Sequence, residues 1–280
     1  MTKSSECPEP HGVPCAPNRT MYRARVDGSG ESCVVWASRR EVRVVYLVVE
    51  SSLTVRESLC YLLLAFGIRG IPVPNRKGAM EVLAKGEVIE GAIIDIDNKE
   101  VDGIALVSDL KGTDATRGMT LIVHTIQTSK DFVMRMVDLG VGGYLLKPFD
   151  PDKAKAKLAA IFSKLATHNS LRRHIRIKPN PDELARVSFR IGRSTQLTSG
   201  RIVDISLGGM AAELFNPPEN GGITQGTQLS RMEIALAGKV LTPSASVVIY
   251  KSKVLAVRFD IINPADKKAL ERYIFKSISS

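Results

Sequence analysis

The sequence predicts two domains: a doubly wound α/β domain on a five-stranded parallel sheet, then a small antiparallel β-barrel with a C-terminal helix. Three observations predict this. The 280 residues exceed one ordinary domain. Five short apolar runs alternate with helix-period segments up to about residue 166. After residue 167 the pattern changes to short Val/Ile/Thr/Arg stretches punctuated by Gly208–Gly209 and by 220–222. The expected division is a mobile leader over 1–40, the α/β domain over 41–167 and the barrel over 168–280.

The leader is rich in Pro, Ser, Gly and Arg and has no sustained period. Its Cys7, His11, Cys15 and Cys33 lack the tight pairing of zinc sites. In the first domain the expected strands are 42–49, 71–73, 91–96, 120–124 and 143–146. The expected helices are 54–66, with a Thr54/Glu57 capping box, then 77–85, 103–111, 131–139 and 151–166. Apolar strands separated by helices imply a parallel sheet covered on both faces. In the second domain the expected strands are 185–191, 200–205, 210–214, 228–236, 245–250 and 254–259, and Pro264 opens a helix over 265–277.

Apolar residues make up 44% of the chain and charged residues 24%, which excludes a wholly disordered or fibrous chain. The longest apolar run, around 61–66, falls far short of the ~20 residues that cross a bilayer, so no membrane span is expected. The N-terminus has no apolar h-region, and four cysteines do not make a disulfide framework, so a cytoplasmic protein is expected. Net charge is +10, but residues 151–280 alone hold 21 Lys and Arg against 10 Asp and Glu. That surplus points to an anionic ligand at the C-terminal domain or to a solvated basic face.

In open α/β sheets, functional groups gather at the carboxyl ends of the strands. Asp95, Thr125 and Lys147–Pro148 fall there. A carboxylate, a hydroxyl and an ammonium above one sheet edge suit a phosphoryl group, with the carboxylate as nucleophile and the other two holding its oxygens. Here the sequence resembles the receiver domain of bacterial response regulators. Residues 95–103, Thr125 placed 22 positions before Lys147, and Tyr144 at the switch position carry the resemblance. It implies Asp95 as phosphoacceptor, a cis Lys147–Pro148 bond and a histidine kinase as phosphoryl donor. Lys99 stands where the family usually has Pro.

Another departure is larger. The family has two adjacent carboxylates after the first strand, whereas this chain has Glu50–Ser51. Magnesium prefers anionic oxygens, so Glu50, Asp95 and Asp97 form a weakened candidate Mg²⁺ site. Two readings stay open: a receiver phosphorylated at Asp95, or a pseudo-receiver used for docking. The glycines of 140–143 follow a helix and precede a strand, so they read as a helix C-cap and not as a dinucleotide loop. His124 and Cys60 read as buried.

The second domain carries RxxxR (Arg172, Arg176), with Arg173 between, and 28 residues after Arg176 it carries DxSxxG (Asp204, Ser206, Gly209). In this order and spacing the pair resembles the PilZ domain, which binds cyclic di-GMP. Guanidinium forks match guanine O6/N7 and phosphate. The resemblance therefore assigns Arg172, Arg173 and Arg176 to guanine and phosphate, Asp204 to guanine N–H groups, Ser206 to phosphate, and Gly208 and Gly209 to close backbone approach. Arg186, Arg190, Arg193 and Arg201 can widen the positive field.

The implied function is a non-enzymatic bacterial signalling effector. It binds cyclic di-GMP and acts by conformational change and protein contact on motility, adhesion or exopolysaccharide. The alternative is a protein-interaction adaptor with a pseudo-receiver and a non-binding PilZ domain. No helix-turn-helix pattern supports a DNA partner.

Overall fold

The computed structural model describes residues 44–165, 174–191, 196–218, 222–229 and 231–279. The expected leader, its cysteines and Arg172, Arg173 and Arg193 lie outside the described residues.

From residue 44, strands and helices alternate in the expected order: β1 (Val44–Val49), α1 (Leu53–Leu64), β2 (Ile68–Val73), α2 (Arg76–Ala84), β3 (Gly91–Asp95), α3 (Gly103–Gly112), β4 (Thr120–Thr125), α4 (Lys130–Asp138), β5 (Gly143–Leu146) and α5 (Pro151–Leu165). The strands form one parallel sheet in the order β2-β1-β3-β4-β5. Alternate residues of β1 enter opposite cores. Leu47 and Val49 join Ile94, Leu106 and Val123 on one side, while Tyr46 and Val48 join Ile93, Leu59 and Leu158 on the other. Burial on both faces is why these strands read as continuous apolar runs.

In this domain three helices (α1, α2 and α4) start one residue before expectation, and one strand starts earlier than expected. No Thr54/Glu57 capping box forms, and α1 begins at Leu53 behind Ser52. Glu50 Oε1 accepts from the amide of Ser52, the N-cap residue, which is the donor that the glutamate of a capping box would take. α4 begins a residue early because Ser129 Oγ accepts from Phe132 N. β2 extends back to Ile68 under α1, where a Cβ on Gly70 would lie 2.8 Å from Cys60 Sγ. Cys60 is fully buried, as expected. Gly140 adopts φ +73° just past α4 and donates to Val137 O, the C-cap geometry read from the sequence.

The second domain contains β6 (Arg186–Phe189), β7 (Thr198–Ser206), β8 (Gly209–Leu214), β9 (Gln228–Leu229), β10 (Glu233–Leu236), β11 (Lys239–Leu241), β12 (Ser244–Lys251), β13 (Val254–Ile261) and α6 (Pro264–Ser279). Its strands pair antiparallel in the order β11-β10-β6-β7-β8-β13-β12-β9. The sheet curls around Val187, Ile202, Met210, Ile234, Val247 and Leu255, and α6 closes this core with Leu270, Ile274 and Ile278.

The single strand expected over 228–236 is in fact two. β9 pairs with β12 and β10 with β6, so the chain leaves one neighbour and joins another between them. β11 escaped the sequence reading. Its hairpin turns at Ala237 (φ +49°) and Gly238 (φ +73°), and Ala gives no turn signal.

α1 and α6 pack together, with the Tyr61 and Phe275 rings edge to face at 5.4 Å. Leu64 of α1 joins the second domain's core. Among the described residues no helix is long and apolar enough to cross a membrane.

Candidate functional site

Two polar centres occupy the positions the sequence marked. The first sits at the carboxyl ends of β3, β4 and β5. Asp95 ends β3 with its side chain 2% exposed, and its Oδ1 accepts from Lys147 Nζ (2.6 Å) and from the Asp97 amide (3.0 Å). The Lys147–Pro148 bond is cis. Burial pulls the Lys147 ammonium down, but its bond to Asp95 and the fields of Asp95, Glu50 and Asp97 outweigh that and hold its pKa above the usual lysine value.

Asp97 turns its carboxylate onto the fourth strand. Thr125 Oγ1 donates to Oδ1 (2.8 Å) and the Ile126 amide donates to Oδ2 (2.7 Å), which lies 3.4 Å from Lys147 Nζ. Thr125 Oγ1 in turn accepts from the Gln127 amide. Asp95, Thr125 and Lys147 thus come together as expected. Tyr144 lies on β5 with the Lys157 ammonium 4.4 Å above its ring.

Glu50 is turned the other way. Its Oε2 lies 3.0 Å from Nδ1 of buried His124, and its Oε1 is held by Ser52 N. Burial would raise this carboxyl, but the bonds to His124 and Ser52, with the fields of His124 and Lys147, hold it below the usual glutamate value. His124 Nε2 has no hydrogen-bond partner among the described residues. The Ser51 hydroxyl accepts from Asn98 Nδ2 at 2.7 Å.

The residues read as a Mg²⁺ site do not fit the ion. Both Glu50 oxygens and both Asp97 oxygens are engaged by protein donors, and a neutral hydroxyl stands at position 51. Among the described residues no group of three His, Cys, Asp or Glu side chains is placed to hold a metal.

The second centre lies on the rim of the curled sheet. Ile177 and Ile205 exchange backbone hydrogen bonds at 2.9 Å in both directions, which pins Arg176, the neighbouring residue, beside the end of β7. The register sets Arg176 Nη1 2.7 Å from Asp204 Oδ1, with the arginine side chain 38% exposed. Arg176 and Asp204, 28 residues apart in sequence, are therefore brought together.

The turn residues have internal work. Buried Ser206 Oγ donates to Gly209 O (3.1 Å) and accepts from Gly208 N (3.3 Å), closing the β7–β8 hairpin. A Cβ on Gly209 would lie 2.1 Å from Val257 O on β13, and one on Gly208 would lie 2.5 Å from the His174 ring. His174, inside the arginine segment, is the residue the sequence reading passed over. Its fit against Gly208 is a tertiary fact without a motif. Arg186, Arg190 and Arg201 are exposed.

Residues 46–159 match the family model of the response regulator receiver domain, and residues 170–276 match that of the PilZ domain. Among curated proteins, the chemotaxis protein CheY homolog of Campylobacter jejuni is 29% identical over 113 residues, 40% of this chain and 87% of that protein. The probable chemotaxis protein CheY of Rhizobium etli is 26% identical over 124 residues, 44% of this chain and 95% of its own. Among solved structures, chemotaxis response regulator CheY4 of Vibrio cholerae matches at 19% identity, covering 42% of this chain and 98% of its own with a TM-score of 0.38. The PilZ domain of YcgR from Escherichia coli, solved with c-di-GMP, matches at 21% identity over 39% of this chain and 92% of its own, with a TM-score of 0.33. The chain joins a response regulator receiver domain to a PilZ domain.

Proposed function

We propose that the chain is a signalling effector whose PilZ domain binds cyclic di-GMP and whose receiver domain carries that event onward by protein contact. The observation that carries this reading is the 2.7 Å Arg176–Asp204 pair, which unites the two halves of the sequence signature on one rim. Arg172, Arg173 and Arg176 supply forks to guanine edges and phosphodiester oxygens, and Asp204 accepts from guanine N–H groups. Ser206, Gly208 and Gly209 form the turn against which the flat ligand lies. Because the Ser206 hydroxyl is committed inside that turn, phosphate recognition falls to the arginines. Arg176 is 38% exposed and faces one carboxylate, so a doubly anionic purine ligand competes for it against a single partner and not against a network.

Helix α1 is the coupling element in this reading. Arg56, on its first turns, donates to the Glu50 and Ser51 carbonyls at the receiver's acidic loop. Tyr61 and Leu64, near its other end, pack on α6 and the PilZ core. A rearrangement of the rim that shifts α6 therefore reaches the receiver through one rigid helix. The receiver serves as a docking module, and a histidine kinase is a partner only if Asp95 can accept a phosphoryl group. The output is motility, adhesion or exopolysaccharide production, as the family resemblance implies.

The test is thermal. Cyclic di-GMP at about a hundred times its dissociation constant should stabilise the full chain by about 2.7 kcal/mol, and GMP should not. An unchanged melting temperature at millimolar cyclic di-GMP overturns the reading.

A further inference from the structure

We propose that the Asp97 carboxylate is the resident anion of the receiver's phosphoryl-binding donors, so that this receiver is closed on itself without phosphate or metal. A phosphoryl group on Asp95 would need donors for its oxygens, and three lie at the same sheet edge: the Lys147 ammonium on Asp95 itself, and the Thr125 hydroxyl and Ile126 amide on Asp97 two residues on. All three already face Asp97, at 2.8, 2.7 and 3.4 Å, with one oxygen taking the hydroxyl and the other taking the amide and the ammonium. A carboxylate is a planar anion with two acceptor oxygens, which suits this donor set.

The surroundings favour the closed arrangement. Asp97 is tied to Asp95 through its own amide, so the two carboxylates are held in a fixed relation and share the one ammonium. A phosphoryl group arriving on Asp95 would add negative charge beside Asp97 and would have to evict it from its donors. The usual means of offsetting that charge is a divalent ion, and the oxygens that would bind one are engaged elsewhere: Glu50 by His124 and Ser52, and the Ser51 hydroxyl by Asn98. Loss of the metal site and capture of the donors by Asp97 are two sides of one rearrangement. The inference concerns the receiver alone and stands or falls independently of nucleotide binding at the PilZ rim.

The experiment uses the full chain, wild type and Asp97→Ala, with the Ile126 amide followed by NMR. In the wild type this amide should be protected from exchange and unmoved by beryllofluoride with Mg²⁺ or by formate. In Asp97→Ala its protection should fall by at least about tenfold, as expected for losing a hydrogen bond to a charged acceptor. Formate, a free carboxylate, should then restore the wild-type shift in the variant. Asp97→Asn, which keeps the shape without the charge, guards against misfolding and should fall between the two. Equal exchange in wild type and Asp97→Ala would overturn the proposal. So would a wild-type Ile126 amide that moves with beryllofluoride, or a wild-type chain that gains the mass of one phosphoryl group from acetyl phosphate.

Discussion

The receiver site and the PilZ rim are built from the same chemistry, carboxylates facing cations, but differ in what surrounds them. Asp95 lies 2% exposed, and Asp97, Thr125, Lys147, Glu50 and His124 form a web in which nearly every oxygen has an internal donor. Arg176, 38% exposed, and Asp204, 13% exposed, form one ion pair at the rim. A buried, mutually satisfied network resists an incoming ligand, because breaking it strands a desolvated charge. A single pair with one partly exposed partner yields more readily to a better partner. The number of internal partners each charge has, more than residue type, separates a site that is closed from one that is open.

The largest effect should come from removing the cation that the two receiver carboxylates share. Lys147→Met leaves buried Asp95 uncompensated, and urea unfolding should report a loss of about 3 kcal/mol. A loss under about 0.5 kcal/mol, typical of surface substitutions, would mean that the receiver is as open as the rim.

Next, Arg176→Ala should weaken cyclic di-GMP at least about a hundredfold in calorimetry, near 2.7 kcal/mol, while costing less than about 1 kcal/mol in stability. Unchanged affinity would move the binding site away from the rim. Gly209→Ala should cost about 1–3 kcal/mol in a urea melt, because its Cβ would meet the backbone oxygen of Val257. Gly208→Ala should cost less, because the atom it meets belongs to the His174 side chain, which can move.

The smallest effect is a pH dependence. The Glu50 carboxyl sits below its ordinary value of 4.5, so below that pH the unfolded state binds more protons than the folded one. The stabilisation is complete above pH 4.5 and is lost as pH falls through the lower, folded value. Glu50→Gln should therefore flatten the acid limb of a stability-against-pH curve. An unchanged limb would detach Glu50 from the network.

The sequence made the architecture and the principal contacts legible, because both leave local signals. Strand-end positions exposed Asp95, Thr125 and Lys147, and paired motifs exposed Arg176 and Asp204. What escaped depends on three-dimensional register. Asp97 read as a metal ligand from its nearness to Asp95, but its carboxylate is committed across the sheet to Thr125 and Ile126, 28 and 29 residues away. Gly209 read as room for a ligand, whereas the approach of Val257 on β13 alone requires glycine there. Ser206 read as a phosphate donor, and the hairpin it closes takes its hydroxyl. In each case the residue type was informative, and its partner was set by strands that sequence spacing does not pair.

The most direct measurement is a pair of calorimetric titrations on one preparation of the full chain, cyclic di-GMP first and then beryllofluoride with Mg²⁺. The account predicts saturable heat from the nucleotide, weakened at least about a hundredfold in Arg176→Ala, and none from beryllofluoride. Saturable heat from beryllofluoride with silence from the nucleotide would contradict it.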